Sequence, residues 1–135
     1  MTAPRFTLDE TIQERIKEQD IRKARYVIGV HLLDTNLSGN YLAGIVDIAV
    51  YSKGAQVASL NIRPINLDKT NSFYERVGSF ARNTLDRQAP FSEDRKKQTA
   101  LIVTAEGDIP LAIVERTRAN LESELKRKGI IQEKN

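Results

Sequence analysis

Three carboxylates, Asp34, Glu75 and Glu106, are the residues of this chain whose types and positions could carry chemistry together. A hard divalent cation such as magnesium takes several oxygen ligands, and paired ions can activate water for phosphodiester hydrolysis. Asp108, two residues beyond Glu106, extends the candidate metal set, and Asp47 is a possible substitute ligand. Each acid also has a plain structural role. Ser72-Phe73-Tyr74-Glu75 has the S-x-x-E spacing of a capping box, whose two side chains satisfy backbone donors at a helix start. Asp34 begins the turn-rich stretch "DTNLSGN", and Glu106-Gly107-Asp108 stands at a turn and helix start, where negative charge is favourable. The capping and turn roles outweigh the metal site, so the preferred reading assigns no catalytic residue, no metal and no cofactor.

Other chemistries narrow quickly. There is no cysteine, which removes disulfides, thiolate zinc sites and cysteine nucleophiles. His31 is the single histidine and falls within an apolar run, which favours a hydrogen-bonded core residue over a catalytic base. No phosphate-binding or nucleophile-elbow motif occurs.

The elements that must position these residues follow from periodicity. Thr7 and Glu10 form a capping box, and Leu8, Ile12 and Ile16 recur every four residues, predicting a first helix. Tyr26 to Leu33 is apolar on both faces of its alternation, which predicts a central strand covered on both sides. Tyr41 to Tyr51 is a second strand, and "SKGA" turns the chain into a third, Ala55 to Arg63. There Ala58, Leu60 and Ile62 point inward while Ser59, Asn61 and Arg63 face water, a pattern suited to an edge strand stopped by Pro64. Ser72 opens a helix with Phe73, Val77, Phe80, Ala81 and Leu85 on its core face. A polar loop spans 88–98, Ala100 to Ala105 is a fourth strand, and Asp108 and Pro110 start a last helix. Leu111, Val114, Leu121 and Leu125 form its stripe, and Gly129 stops it.

The predicted fold class is α+β, with α-β-β-β-α-β-α element order. A three-stranded antiparallel meander and one parallel strand form a single mixed four-stranded sheet, with helices packed on it. Its 135 residues, 40% hydrophobic, suit one domain over 1–135, with 1–6 and 130–135 as tails. The polar N-terminus and short apolar runs predict a cytoplasmic protein without membrane contact.

The three-stranded meander, helix and parallel strand, with acids at the strand ends, resemble the ribonuclease H-like fold. "TNSFYE" is similar to the stretch carrying that family's helical glutamate. The resemblance spans roughly Tyr26 to Lys128 and implies a magnesium-dependent nuclease using Asp34, Glu75 and Glu106, with Glu106 where the family usually has aspartate. The same element order and length also look like the small dimeric chaperones of bacterial secretion systems, which implies protein binding.

Two further partner classes come from the residues themselves. The net charge is +3, with basic clusters at Arg22, Lys23 and Arg25, at Arg95, Lys96 and Lys97, and at Lys126, Arg127 and Lys128. Brought together, these could track a nucleic-acid backbone, with Tyr26 or Phe91 to stack on bases. The Ala55 to Arg63 edge offers Gln56, Ser59, Asn61 and Arg63 to a pairing strand, and the tail offers Ile130 and Ile131. The leading expectation is a non-catalytic protein-binding or assembly domain. It would be homo-oligomeric or part of a larger complex. A nuclease and a nucleic-acid-binding module are the alternatives.

Overall fold

A computed structural model of the chain describes residues 24–34, 43–66, 73–107 and 109–132. In order these form β1 (Tyr26–Asp34), β2 (Ala43–Ser52), β3 (Ala55–Asn66), α1 (Phe73–Gln88), α2 (Glu93–Lys97), β4 (Thr99–Glu106) and α3 (Leu111–Arg127). The predicted helix carrying Leu8, Ile12 and Ile16, the cap residue Ser72, and Asp108 lie outside the described residues, as do Arg22 and Lys23.

The strands make one mixed sheet in the order β3-β2-β1-β4, with β1 antiparallel to β2 and parallel to β4. This is the α+β architecture that the alternation predicts. The two-sided apolar pattern of β1 places it inside the sheet, where neither face meets water. The cleaner alternation of β3 places it at the edge. There Ile62 is buried, while Gln56, Ser59 and Asn61 are exposed.

Pro64 does not end β3, which runs on to Asn66. The register passes from Val46↔Ile62 to Gly44↔Ile65, so two residues, Arg63 and Pro64, stand opposite Ile45. A bulge on an edge strand can hold proline, because its missing N–H is not required by the ladder there. A second register shift, between Val50 and Tyr51, leaves Val57 as an extra residue that is 40% exposed.

Helices α1 and α3 share one face of the sheet. Ile28, Val30, Leu32, Val46, Ile48 and Val50 bury there against Val77, Ala81, Leu85, Leu121 and Leu125. On α3 the stripe is Val114, Thr117, Leu121 and Leu125, and Leu111, expected in it, is instead 73% exposed in the first turn. The two helices approach closely at Gly78, where a Cβ would lie 2.8 Å from Lys128 Cδ and Cε. Asn120 Nδ2 donates to Tyr74 Oη across the same contact, at 3.3 Å.

The stretch between α1 and β4 is not all loop. Ser92 caps α2, its hydroxyl accepting from the Arg95 N–H at 3.0 Å. Five residues are too few to register as a helical period, which explains why periodicity passes over them.

Gly129 ends α3, as its sequence position predicts, but Ile130 and Ile131 beyond it do not form a tail. With φ at +72°, Gly129 supports paired bonds from its own N–H to the Lys126 carbonyl (3.0 Å) and from Ile130 N–H to the Leu125 carbonyl (2.8 Å). That is the Schellman arrangement, which turns the chain back across the helix end. Ile130 is consequently buried completely and Ile131 nearly so, both in the main core. The expectation that these two isoleucines face a partner is corrected: they fill their own fold. Among the described residues no helix is long and apolar enough to cross a membrane.

Candidate functional site

On the sheet face opposite α1 and α3, the register lines up Asn61, Asp47, His31 and Thr104, one residue from each strand. Directly paired residues share a face, so these side chains form a polar row across the whole sheet. Asn61 donates to the Asp47 carboxylate. His31 is buried, with Nδ1 2.7 Å from Thr104 Oγ1 and Nε2 3.1 Å from Glu106 Oε1. A carboxylate oxygen accepts, so Nε2–H donates to Glu106, and Nδ1 is bonded to the Thr104 hydroxyl. Both ring nitrogens are thereby engaged. His31 braces β1 to β4 and keeps no free nitrogen with which to move a substrate proton. Thr104, the partner that makes this possible, has no sequence signature apart from its place on β4 opposite His31.

The same parity separates two of the three candidate metal ligands. Glu106 follows Ile102 and Thr104 on the face away from the helices, whereas Glu75 is exposed on α1, which packs against the other face. Asp34 closes β1, and Asp108 lies outside the described residues. Among the described residues no group of three or more His, Asp or Glu could hold a metal ion.

Arg25, the basic residues of α2 and the end of α3 lie at the end of the sheet where β1 and β4 begin. Tyr26 N–H donates to the Gln98 carbonyl, and Lys53 N–H donates to that of Arg25. A Cβ at Gly129 would lie 3.4 Å from Lys96 Cε, so α2 adjoins the end of α3. Phe91 is 52% exposed in this region, with the Arg95 guanidinium 5.4 Å and the Lys96 ammonium 5.5 Å from its ring centre.

Two members of the expected surface are corrected. Arg95 is only 2% exposed, because its guanidinium turns inward to Asp86 Oδ1 at 2.7 Å and the Ala89 carbonyl at 3.0 Å. Tyr26 is buried in the core and cannot stack on a base. Lys96 pairs with Glu93, while Arg127 and Lys128 share Glu124. The Arg127 hydrogen bond, followed by the charges of Arg127 and Lys128, holds the Glu124 carboxyl below its ordinary pKa against the opposing effect of burial. The same bond raises the Arg127 pKa, and the charge of Glu75 adds to that effect.

The remaining candidate is the outer edge of β3. Five of the seven residues from Ala55 to Asn61 are exposed, whereas β4, at the opposite edge, is exposed only at Ala105. Arg63 is the single charged residue in the twelve of β3. Among the described residues no strand pairs with the outer side of β3. Beside it, on the helix-bearing side, Leu60, Glu75, Arg76 and Ser79 line an open groove of about 390 Å³. The groove exceeds the ~30 Å³ share of one water many times over, so it has room for side chains.

No family model matches the chain, and no curated protein matches it.

Proposed function

We propose that this chain is a non-catalytic protein-binding or assembly domain that works by adding a partner strand to β3. The observation that carries this reading is the long, sparsely charged edge, unpaired on its outer side among the described residues. An extended partner satisfies the outward N–H and C=O groups of such an edge, gaining main-chain hydrogen bonds, and places alternate side chains into neighbouring pockets. Edge strands are commonly shielded by lysine, proline or a cover. Here proline comes only at the far end of β3, and among the described residues no strand covers the regular stretch Ala58 to Ile62 that follows the bulge at Val57.

The test is a photo-crosslinking residue introduced singly at Gln56, Ser59 or Ala105 in the producing cell. The expected result is a discrete protein adduct at Gln56 and Ser59, unchanged by magnesium or its chelation, and none at Ala105, exposed on β4 at the opposite edge of the sheet. Equal labelling at all three positions, or no protein adduct at β3, overturns the reading.

A second reading, a nucleic-acid-binding module, is supported by Lys96 beside the exposed Phe91 and by the approach of α2 to the end of α3. It predicts affinity for a single-stranded oligonucleotide that falls steeply with salt and weakens in Lys97→Glu and Lys126→Glu. Salt-insensitive binding, or none, sinks it.

A further inference from the structure

We infer that the strand added to β3 is β3 of a second copy, running antiparallel about a two-fold axis perpendicular to the sheet. This rests on the strand-addition reading above and names its partner. Such an axis joins two four-stranded sheets into one and keeps both α1 helices on the same face. The two grooves lined by Leu60, Glu75, Arg76 and Ser79 then face each other across the seam.

A two-fold interface brings a patch against itself, so the patch must be self-complementary. This one is. Glu75 and Arg76 are adjacent, opposite in charge and both exposed in the groove, and the charge of Glu75 is also felt by Arg127 of its own chain. Across the axis, Glu75 of each copy meets Arg76 of the other, giving two reciprocal pairs. A groove carrying one sign of charge would repel its own copy.

The strand itself raises no objection. Its single charge, Arg63, lies towards one end, so antiparallel pairing centred on the middle of β3 sets no like charges opposite each other. Apolar contact comes from Leu60, which is half-buried and packed at the core margin, and from the exposed Val57 that the bulge pushes out. Main-chain bonds supply the affinity, and the groove charges fix the register and the choice of partner.

The experiment measures the mass of the purified chain by light scattering and sedimentation from about 1 µM to 100 µM, alongside hydrogen exchange at both ends of that range. The expected result is a dimer whose β3 amides, and not those of β4, gain protection with concentration. Glu75→Arg and Arg76→Glu should each weaken the dimer about tenfold or more, because each sets like charges together across the axis. The double reversal restores the pairs and should recover dimerisation to near the original. Both positions are exposed on α1, and a melting curve for each variant confirms that the fold is intact.

A chain that stays monomeric throughout overturns self-pairing. So does a dimer indifferent to both single reversals, or one in which β3 gains no protection. The photo-crosslinks keep this failure distinct from that of the parent reading. Adducts at Ser59 with a different protein leave strand addition standing with another partner, and their absence removes both.

Discussion

The two faces of the sheet solve burial differently. Towards α1 and α3, β1 presents Ile28, Val30 and Leu32, all fully buried, and nothing in that row needs a hydrogen bond. Away from the helices the alternate positions are Val27, Gly29 and His31, and the buried apolar cluster of Val27, Ala49, Tyr51 and Ile102 gives way to the polar row. The β1 row on the first face gains its stability from packing. On the second, part of the stability depends on every buried donor and acceptor being matched, and the cost of a mistake there is desolvation rather than a void.

The largest expected effect comes from breaking the first face. Ile28→Ala removes a completely buried side chain from the centre of the sheet and should cost about 2–5 kcal/mol, set by how far the surroundings collapse into the cavity. Denaturant unfolding of the two proteins, compared at equal m-value, measures it. A cost below about 1 kcal/mol, within the range of an ordinary surface change, would mean that β1 is not the packed centre.

On the second face the sharper experiment is a pair. His31→Leu keeps much of the volume but deprives Thr104 of its bonding partner and Glu106 of one, for an expected loss of about 1–3 kcal/mol. Adding Thr104→Val replaces the stranded hydroxyl with a methyl of similar shape, so the double variant should regain part of that loss. If the double is simply additive, His31 and Thr104 are not coupled and the brace is wrong. The row of Ile28, Val30 and Leu32 on the first face offers no analogous rescue, because these side chains carry no polar atoms.

This contrast explains what the sequence made legible. Alternation along each strand names its faces, so the central place of β1 and the edge position of β3 follow from residues such as Val30, Leu32, Ser59 and Ile62, while the parallel β1–β4 pairing follows from the helical crossover between β3 and β4. Which residues meet across strands depends on register, and register is a tertiary property. Hence Thr104 was invisible as the partner of His31. Glu106, plausible as a companion of Glu75 by its place at a strand end, proves to be on the opposite face. Short-range signals that were present were of another kind. Ser92 preceding Glu93 and Asp94 has the composition of a helix start. Ile130 directly after Gly129 has that of a Schellman turn, whose apolar C″ residue folds back onto the helix. Nothing local marks Arg95 as buried, since its partner Asp86 belongs to the preceding helix.

The Schellman turn also joins Ile130 and Ile131 to the first face, which makes that junction breakable at a single position. Gly129→Ala forces an L-residue to φ near +72° and places its Cβ 3.2 Å from Phe91 Cε2. The left-handed conformation alone costs roughly 1–2 kcal/mol. The same change should raise hydrogen exchange at the Ile130 amide, whose bond to the Leu125 carbonyl holds the turn. Loss of stability without faster exchange at Ile130 would place the strain elsewhere.

The smallest effect belongs to a second carboxylate clasp, and it tests whether burial is what gives the His31–Glu106 pair its weight. Glu124 bonds Arg127 and reaches Lys128, as Glu106 bonds His31, but its partner Arg127 stands 65% exposed. Solvent screens such pairs, so Glu124→Gln should lower the melting temperature only slightly near neutral pH. The direction of its pH dependence is fixed by the lowered pKa of Glu124. A carboxyl with a folded-state pKa below the unfolded value stabilises the fold above that value, because the native state favours the ionised form. As the pH falls past the ordinary glutamate value of 4.5 and then through the lowered one, the native Glu124 takes up its proton and the advantage disappears. The melting temperatures of the parent and Glu124→Gln should therefore differ most near neutrality and converge in acid. Since the other carboxyls titrate in both proteins, the difference isolates Glu124. A gap that widens on acidification would reverse the sign and exclude the clasp as its source.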